Sequence, residues 1–210
     1  METMTDWIVL WRELVEVKSR SLEPEAGAKP QTDVWSAKAH RFDENVKRRW
    51  TRPDSSRDFV LTQLDALPTD ATVLDIGAGT GAWAALLARH ARRVTAVEPS
   101  AAMIQVMREN LAAQDITNVE IVQGTWPDAP VRPHDFSLCS HAMYGYPDLP
   151  TFIRRMIAVT RRMCFLVLRA PFPNGVMAEA AQHIWGQPHD SPNFTVAYNV
   201  LLQMGIHARC

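Results

Sequence analysis

Hydrophobic positions change their period near residue 71. Upstream they recur at helical spacing: Trp7, Leu10, Trp11, Leu14 and Val15, with Asp6 and Glu13 on the opposite face, predict an opening helix. A second helical region begins near Asp33 and carries Trp35, Ala39, Phe42 and Val46. A third spans about residues 54–67, with Phe59, Leu61, Leu64 and Leu67 as candidate core positions. The polar, proline-bearing stretch 19–32 between the first two reads as a linker.

Downstream, short β-branched runs alternate with helical segments. Residues 72–76, 94–98, 119–123, 135–140 and 163–168 read as strands. Helices are expected at about 82–90, with Trp83, Leu86 and Leu87 inward, and at about 148–160. Ser100 is suited to cap another that places Met103, Val106, Met107 and Leu111 on one face. Continuous apolar strands between helices are the mark of a parallel sheet covered on both faces. The expected class is therefore α/β, a doubly wound, mostly parallel sheet, with a helical N-terminal extension at 1–68 and the α/β domain at 69–210. Residues 193–204 read as the helix after the fifth strand, and 205–210 as the opening of a sixth. A sheet stopping there exposes unpaired backbone groups that invite another chain, a second copy included; a truncated product, a partner that completes the sheet and a sheet that ends early are the three explanations.

Composition narrows the functions. The 210 residues are 47% hydrophobic and 21% charged, ordinary globular usage. With 22 basic and 23 acidic side chains the net charge is -1, so no broad cationic field exists to hold a nucleic-acid backbone. The short basic runs, such as Lys47-Arg48-Arg49 and Arg161-Arg162, read as solvated faces. Three cysteines, Cys139, Cys164 and Cys210, lack metal-ligand spacing and fit a reducing compartment. No apolar run is long enough to span a bilayer, and the acidic N-terminus does not suit a signal peptide, so a cytoplasmic chain without a membrane partner is expected.

The chemistry concentrates in Asp75-Ile-Gly77-Ala78-Gly79-Thr-Gly81-Ala82, where a strand enters a turn with glycine at alternate positions and a helix follows. Glycines permit left-handed angles and let a ligand approach the backbone, while the helix start presents unpaired amides. Open α/β sheets bind ligands at the carboxyl ends of their strands, where the strand order reverses. Two cofactor classes fit. With Ala82 in place of the third glycine, the turn satisfies the dinucleotide fingerprint. Asp75 argues for the other class, because a carboxylate beside the turn repels a diphosphate and favours a ligand with a cationic end. S-adenosyl-L-methionine has an ammonium, a sulfonium and no phosphate. Glu98 ends the second strand, where an acid can accept hydrogen bonds from ribose hydroxyls, a device that NAD enzymes share. Pro99 follows it, and Met103, one turn into the helix, is placed to cover an adenine face.

On these residues the chain resembles the class I S-adenosylmethionine-dependent methyltransferases. The Asp75–Gly81 segment is similar to that family's first motif, and Glu98-Pro99-Ser-Ala-Ala-Met103 to its second. The resemblance implies adenine contacts from Thr125 and Trp126 after the third strand, and a methyl-transfer site lined by Ser140-His141-Ala142-Met143-Tyr144 after the fourth. It also implies that Trp35, Ala39 and Phe42 lie as a lid over the cofactor, with Arg41 near its carboxylate.

The resemblance makes the expected activity methyl transfer to a small organic molecule by in-line displacement. Alignment of reacting groups is worth on the order of 7–11 kcal/mol, against about 3–6 for a general base, so positioning outweighs any single catalytic side chain. Should a base be used, His141 is the first candidate and Tyr144 the second. Two rivals remain at this stage: a cofactor-binding or assembly subunit without turnover, and an NAD-dependent oxidoreductase.

Overall fold

The computed structural model describes residues 5–20, 33–66, 70–171 and 175–210. Most of the expected linker, and Leu67, lie outside them. Three helices come first: α1 (Trp7–Arg20), α2 (Ala39–Trp50) and α3 (Ser55–Asp65). Then follow β1 (Thr72–Ile76), α4 (Ala82–Leu87), β2 (Arg93–Glu98), α5 (Ala101–Ala112), β3 (Val119–Gln123), β4 (His134–Ser140), a 3-10 turn at Met143–Gly145, α6 (Leu149–Ala158) and β5 (Thr160–Val167). Helices α7 (Val176–Trp185) and α8 (Phe194–Gln203) close the chain.

The five strands form one sheet in the order β3-β2-β1-β4-β5, with every pairing parallel. The chain steps outward from β1 to β3, then returns to β4 on the other side, so the order reverses between β1 and β4. Val73 faces Phe136 and Ile76 faces Cys139 across that seam, while Ile76 faces Val97 on β2. All five residues of β1 are buried, as a strand flanked and covered on both faces requires. The edge strand β3 is only half-buried.

Contacts divide the chain into two compact units along lines different from the 1–68 and 69–210 division. One contains residues 29–142 and 155–167, and the other 1–28, 143–154 and 168–210. The first holds the sheet and its core, where Val60 and Leu64 of α3 join Val73, Leu87, Val94, Met107, Phe136 and Leu138. In the second, α1 packs on α8 and buries Leu10, Trp11, Leu14 and Val15, the stripe expected from its period. The Trp11 indole N–H donates to the Tyr146 carbonyl at 2.9 Å.

Several expectations are corrected. In α3 the inward residues are Val60 and Leu64, and Phe59 is exposed with its ring edge to Phe165. Trp83, packed against the core, and Leu86 are only half-buried, and α4 spans Ala82–Leu87 in place of the expected 82–90. Cys139 is buried and Cys164 half-buried, both as free thiols. Helix α7 has no counterpart in the expected elements. The sixth strand does not open at 205–210, which carry no strand. Gly205, at φ +77°, ends α8: its N–H donates to Leu202 and that of Ile206 to Leu201, two carbonyls the helix end leaves unpaired.

Candidate functional site

The glycine turn sits at the carboxyl end of β1, on the seam where the strand order reverses. Gly77, Gly79 and Gly81 all have left-handed φ, at +71°, +57° and +84°. The Gly77 and Ala78 amides both donate to the Val97 carbonyl, at 2.8 and 3.0 Å, which pins the turn to β2. A Cβ on Gly77 would lie 2.2 Å from the Ala142 Cβ, so this glycine is required by close approach as well as by angle.

Gly81 then starts α4 without a side chain to cap it. The Asp75 carboxylate is turned toward the Ala84 N–H, which favours its charged form, while its Oδ2 has no partner. Asp75 is 1% exposed. Burial, reinforced by the nearby negative charge of Glu98, pushes its carboxyl up to about 7.

Glu98, at the end of β2, is bonded at both oxygens. Oε2 accepts the Gly79 N–H at 2.9 Å and Oε1 the Ser100 N–H at 3.0 Å. Burial pushes this carboxyl up as well, against those two amides. Each oxygen keeps a further lone pair for a hydroxyl donor. Two buried acids flank the glycine cradle, and once ionised they repel a pyrophosphate and attract a cation. The donor set and the unpaired Asp75 oxygen fit a cationic nucleoside.

Other expected residues fall in several places. Pro99 is exposed beside Glu98. Met103 is 2% exposed and clusters with Ala39 and Val106, with Trp35 and Phe42 packed against them, so it fills the seam between α2 and α5. Thr125 is exposed, and its carbonyl accepts the Asp128 and Ala129 amides at 3.0 Å. Trp126 is buried under the Arg155 guanidinium, 6.0 Å from its ring centroid. Ser140 ends β4 half-buried. His141 is exposed, with φ +58° and its N–H donating to Val167 at 3.1 Å. Tyr144 belongs to the other compact unit, where its hydroxyl accepts the Arg169 N–H and its ring lies under the Arg169 guanidinium.

Helix α2 reaches the glycine turn: the Phe42 ring would stand 3.7 Å from a Cβ on Gly79. Arg41, the expected carboxylate partner, is exposed. Asp43 binds Lys47 at 2.7 Å and Asn110 at 2.8 Å, and the Asn110 amide also donates to the Thr80 carbonyl at 2.9 Å. Burial pushes the Asp43 carboxyl up, but its bonds to Lys47 and Asn110 hold it below its ordinary value. A cleft of about 260 Å³ opens here, lined by Asp43, Trp50, Ala85 and Asn110 among others and by neither Asp75 nor Glu98.

Sequence reasoning missed Asp33, Asp43 and Asn110. Asp33 stands at the start of a helical pattern and reads there as a local cap, but its carboxylate bonds 67 residues away, to Ser100. Among the described residues no His, Cys, Asp and Glu cluster has the grouping of a metal site, and no helix is long and apolar enough to cross a membrane.

Comparison with known proteins agrees with this geometry. Residues 73–163 match a methyltransferase domain family. Protein-L-isoaspartate O-methyltransferase 1 of Rhodopseudomonas palustris is 37% identical over 111 residues, 50% of this chain and 43% of the relative. A probable ribosomal RNA small subunit methyltransferase A of Methanosphaera stadtmanae is 25% identical over 83 residues, 40% of this chain and 30% of the relative. The chain thus spans less than half the length of each. Among solved structures, DhpI in complex with SAM and HEP superposes with a TM-score of 0.57 at 20% identity, covering 97% of this chain and 91% of that one.

Proposed function

We propose that this chain, whose residues 73–163 form a methyltransferase domain of the class I S-adenosylmethionine-dependent family, methylates a small organic acceptor. The observation that carries the reading is the pair of buried carboxylates around the glycine turn, with Glu98 Oε2 held 2.9 Å from the Gly79 nitrogen. S-adenosyl-L-methionine supplies an activated methyl group when bound. Glu98 takes the ribose hydroxyls on its remaining lone pairs, and Asp75 supplies the negative potential that favours the cationic end. The turn through Gly77, Ala78 and Gly79 admits the nucleoside to the backbone. Pro99, Met103, Thr125, Trp126 and Ser140 support the adenine and methionine portions, Met103 by holding α5 against α2.

The chain's chief task in catalysis is alignment and exclusion of water, since transfer between well-positioned groups needs little else. His141 takes the acceptor's proton, and Tyr144 is the second candidate for that role. A small acceptor suits a net charge of -1, which offers RNA no attractive field. The relatives named above carry ribosomal RNA and protein L-isoaspartate in their names, and the charge argument weighs against the first for this chain.

Calorimetric titration with S-adenosylhomocysteine, with NAD in parallel, tests the cofactor. Binding of S-adenosylhomocysteine to the wild type, weakened in Asp75→Ala and Glu98→Gln, is the expected result. Binding of NAD alone would overturn the reading. Incubation with labelled cofactor and pooled metabolites, against pooled RNA and protein, then tests the acceptor class.

A further inference from the structure

A chain of hydrogen bonds runs from the segment before α2 into the carboxylate that ends β2. The Ser100 hydroxyl lies 2.8 and 3.0 Å from the two Asp33 carboxylate oxygens. It donates its single proton there and accepts the Met103 N–H at 3.1 Å, capping α5. Asp33 Oδ2 also accepts the Ala102 N–H at 3.2 Å, and Oδ1 the Trp35 N–H at 2.9 Å. The Ser100 amide in turn donates to Glu98 Oε1, while Glu98 Oε2 holds Gly79. Each link is therefore a donor and acceptor pair with its direction defined, from Asp33 through Ser100 and Glu98 to the glycine turn.

This arrangement exceeds what capping a helix needs. Ser100 already caps α5 through Met103, and Asp33 adds only the Ala102 N–H to that cap. Asp33 adds a carboxylate beside Glu98, a like charge that the fold tolerates although it opposes ionisation of Glu98. Fixing the Ser100 hydroxyl from outside fixes the residue whose amide aims Glu98. The same carboxylate anchors the turn from which Trp35 packs on the α2–α5 seam.

We infer that Asp33 is a positioning residue, which holds the Glu98 carboxylate in register for the ribose hydroxyls through Ser100 and ties docking of the segment before α2 to cofactor affinity. The inference rests on the reading that Glu98 takes the ribose. Asp33 itself touches no reacting atom. Asp33→Asn keeps the shape but replaces one acceptor by a donor facing the Ala102 amide, and Ser100→Ala breaks the relay at its middle.

The test compares affinities for S-adenosylhomocysteine and its 2′-deoxy analogue, because a loss of general stability lowers both and leaves their ratio alone. The wild type prefers the hydroxylated ligand by about tenfold, the worth of one charge-assisted bond. Glu98→Gln, Asp33→Asn and Ser100→Ala each bring the ratio to within about twofold, and the Asp33→Asn/Ser100→Ala double variant goes no further than either single one. A wild-type ratio in Asp33→Asn and Ser100→Ala, with the ratio lost in Glu98→Gln, overturns the inference and leaves the Glu98 reading standing. A wild-type ratio in Glu98→Gln removes that reading and the inference with it. If Asp33→Asn does not fold, the ratio in Ser100→Ala decides alone.

Discussion

The Asp75 carboxylate, carried on the central strand, is turned toward the backbone N–H of Ala84, the third residue of α4, which favours its ionised form against burial. A helix that begins at a glycine without a capping side chain thus has a buried acid of the preceding strand at its start. The arrangement joins two needs. A negative charge at a helix N-terminus is favoured, and once ionised the same acid, buried with its Oδ2 unpaired, gives the glycine turn negative character.

That burial has a pH signature. Asp75 has a folded-state value of about 7 against an ordinary 3.8, so between these values the folded protein holds a proton that the unfolded chain has released. The contribution of this group to stability is therefore complete below about pH 4 and lost as pH rises through about 7, by an amount on the order of 4 kcal/mol. The unfolding free energy of Asp75→Asn minus that of wild type should rise over this interval in urea titrations of ligand-free protein. A flat difference would refute the burial argument. In the same range S-adenosylhomocysteine, whose ammonium favours the ionised acid, should bind wild type more tightly as pH rises, and Asp75→Asn should lose that trend.

Gly77→Ala meets two obstacles, a left-handed angle and the Ala142 Cβ at 2.2 Å. The angle costs about 1 kcal/mol and overpacking a further 1–3, so a loss of roughly 2–4 kcal/mol is expected in denaturant unfolding. The pair Gly77→Ala/Ala142→Gly should recover the overpacking part and not the rest.

His141 tests the proton role. Its φ of +58° makes alanine a poor probe, since the angle itself would be strained, whereas asparagine tolerates it. His141→Asn should lower kcat by about 10²–10⁴-fold with the true acceptor and leave S-adenosylhomocysteine affinity unchanged. Unchanged turnover would move the role to Tyr144 or dispense with it.

In the other compact unit, Asn193 caps α8 by accepting the Val196 N–H at 3.2 Å and donates to the Ser191 carbonyl at 3.0 Å. It is 3% exposed. Asn193→Ala should cost about 1–2 kcal/mol, read as a lower midpoint in thermal or urea unfolding with an unchanged slope.

Local order alone determined much of this protein. Runs of β-branched residues, the Ser100 cap and the glycine spacing act within about ten residues of chain, so the elements from β1 to α5 and the Asp75 and Glu98 positions were legible in the residues themselves. Where a motif competed with an equally local signal it misled: 205–210 looked like a strand, but Gly205 spends its backbone closing α8. The tertiary structure alone decided the rest. Phe59 and Val60 are neighbours in a similar pattern, and only the packing of α3 on the sheet chose Val60 as the buried one. Asp33 and Ser100 meet across 67 residues, and Asp43 and Asn110 across the same separation, because the parallel crossovers bring α5 beside α2. Hydrogen bonds of that reach depend on strand order and helix placement, quantities set by the burial of the whole core and carried by no short stretch of chain.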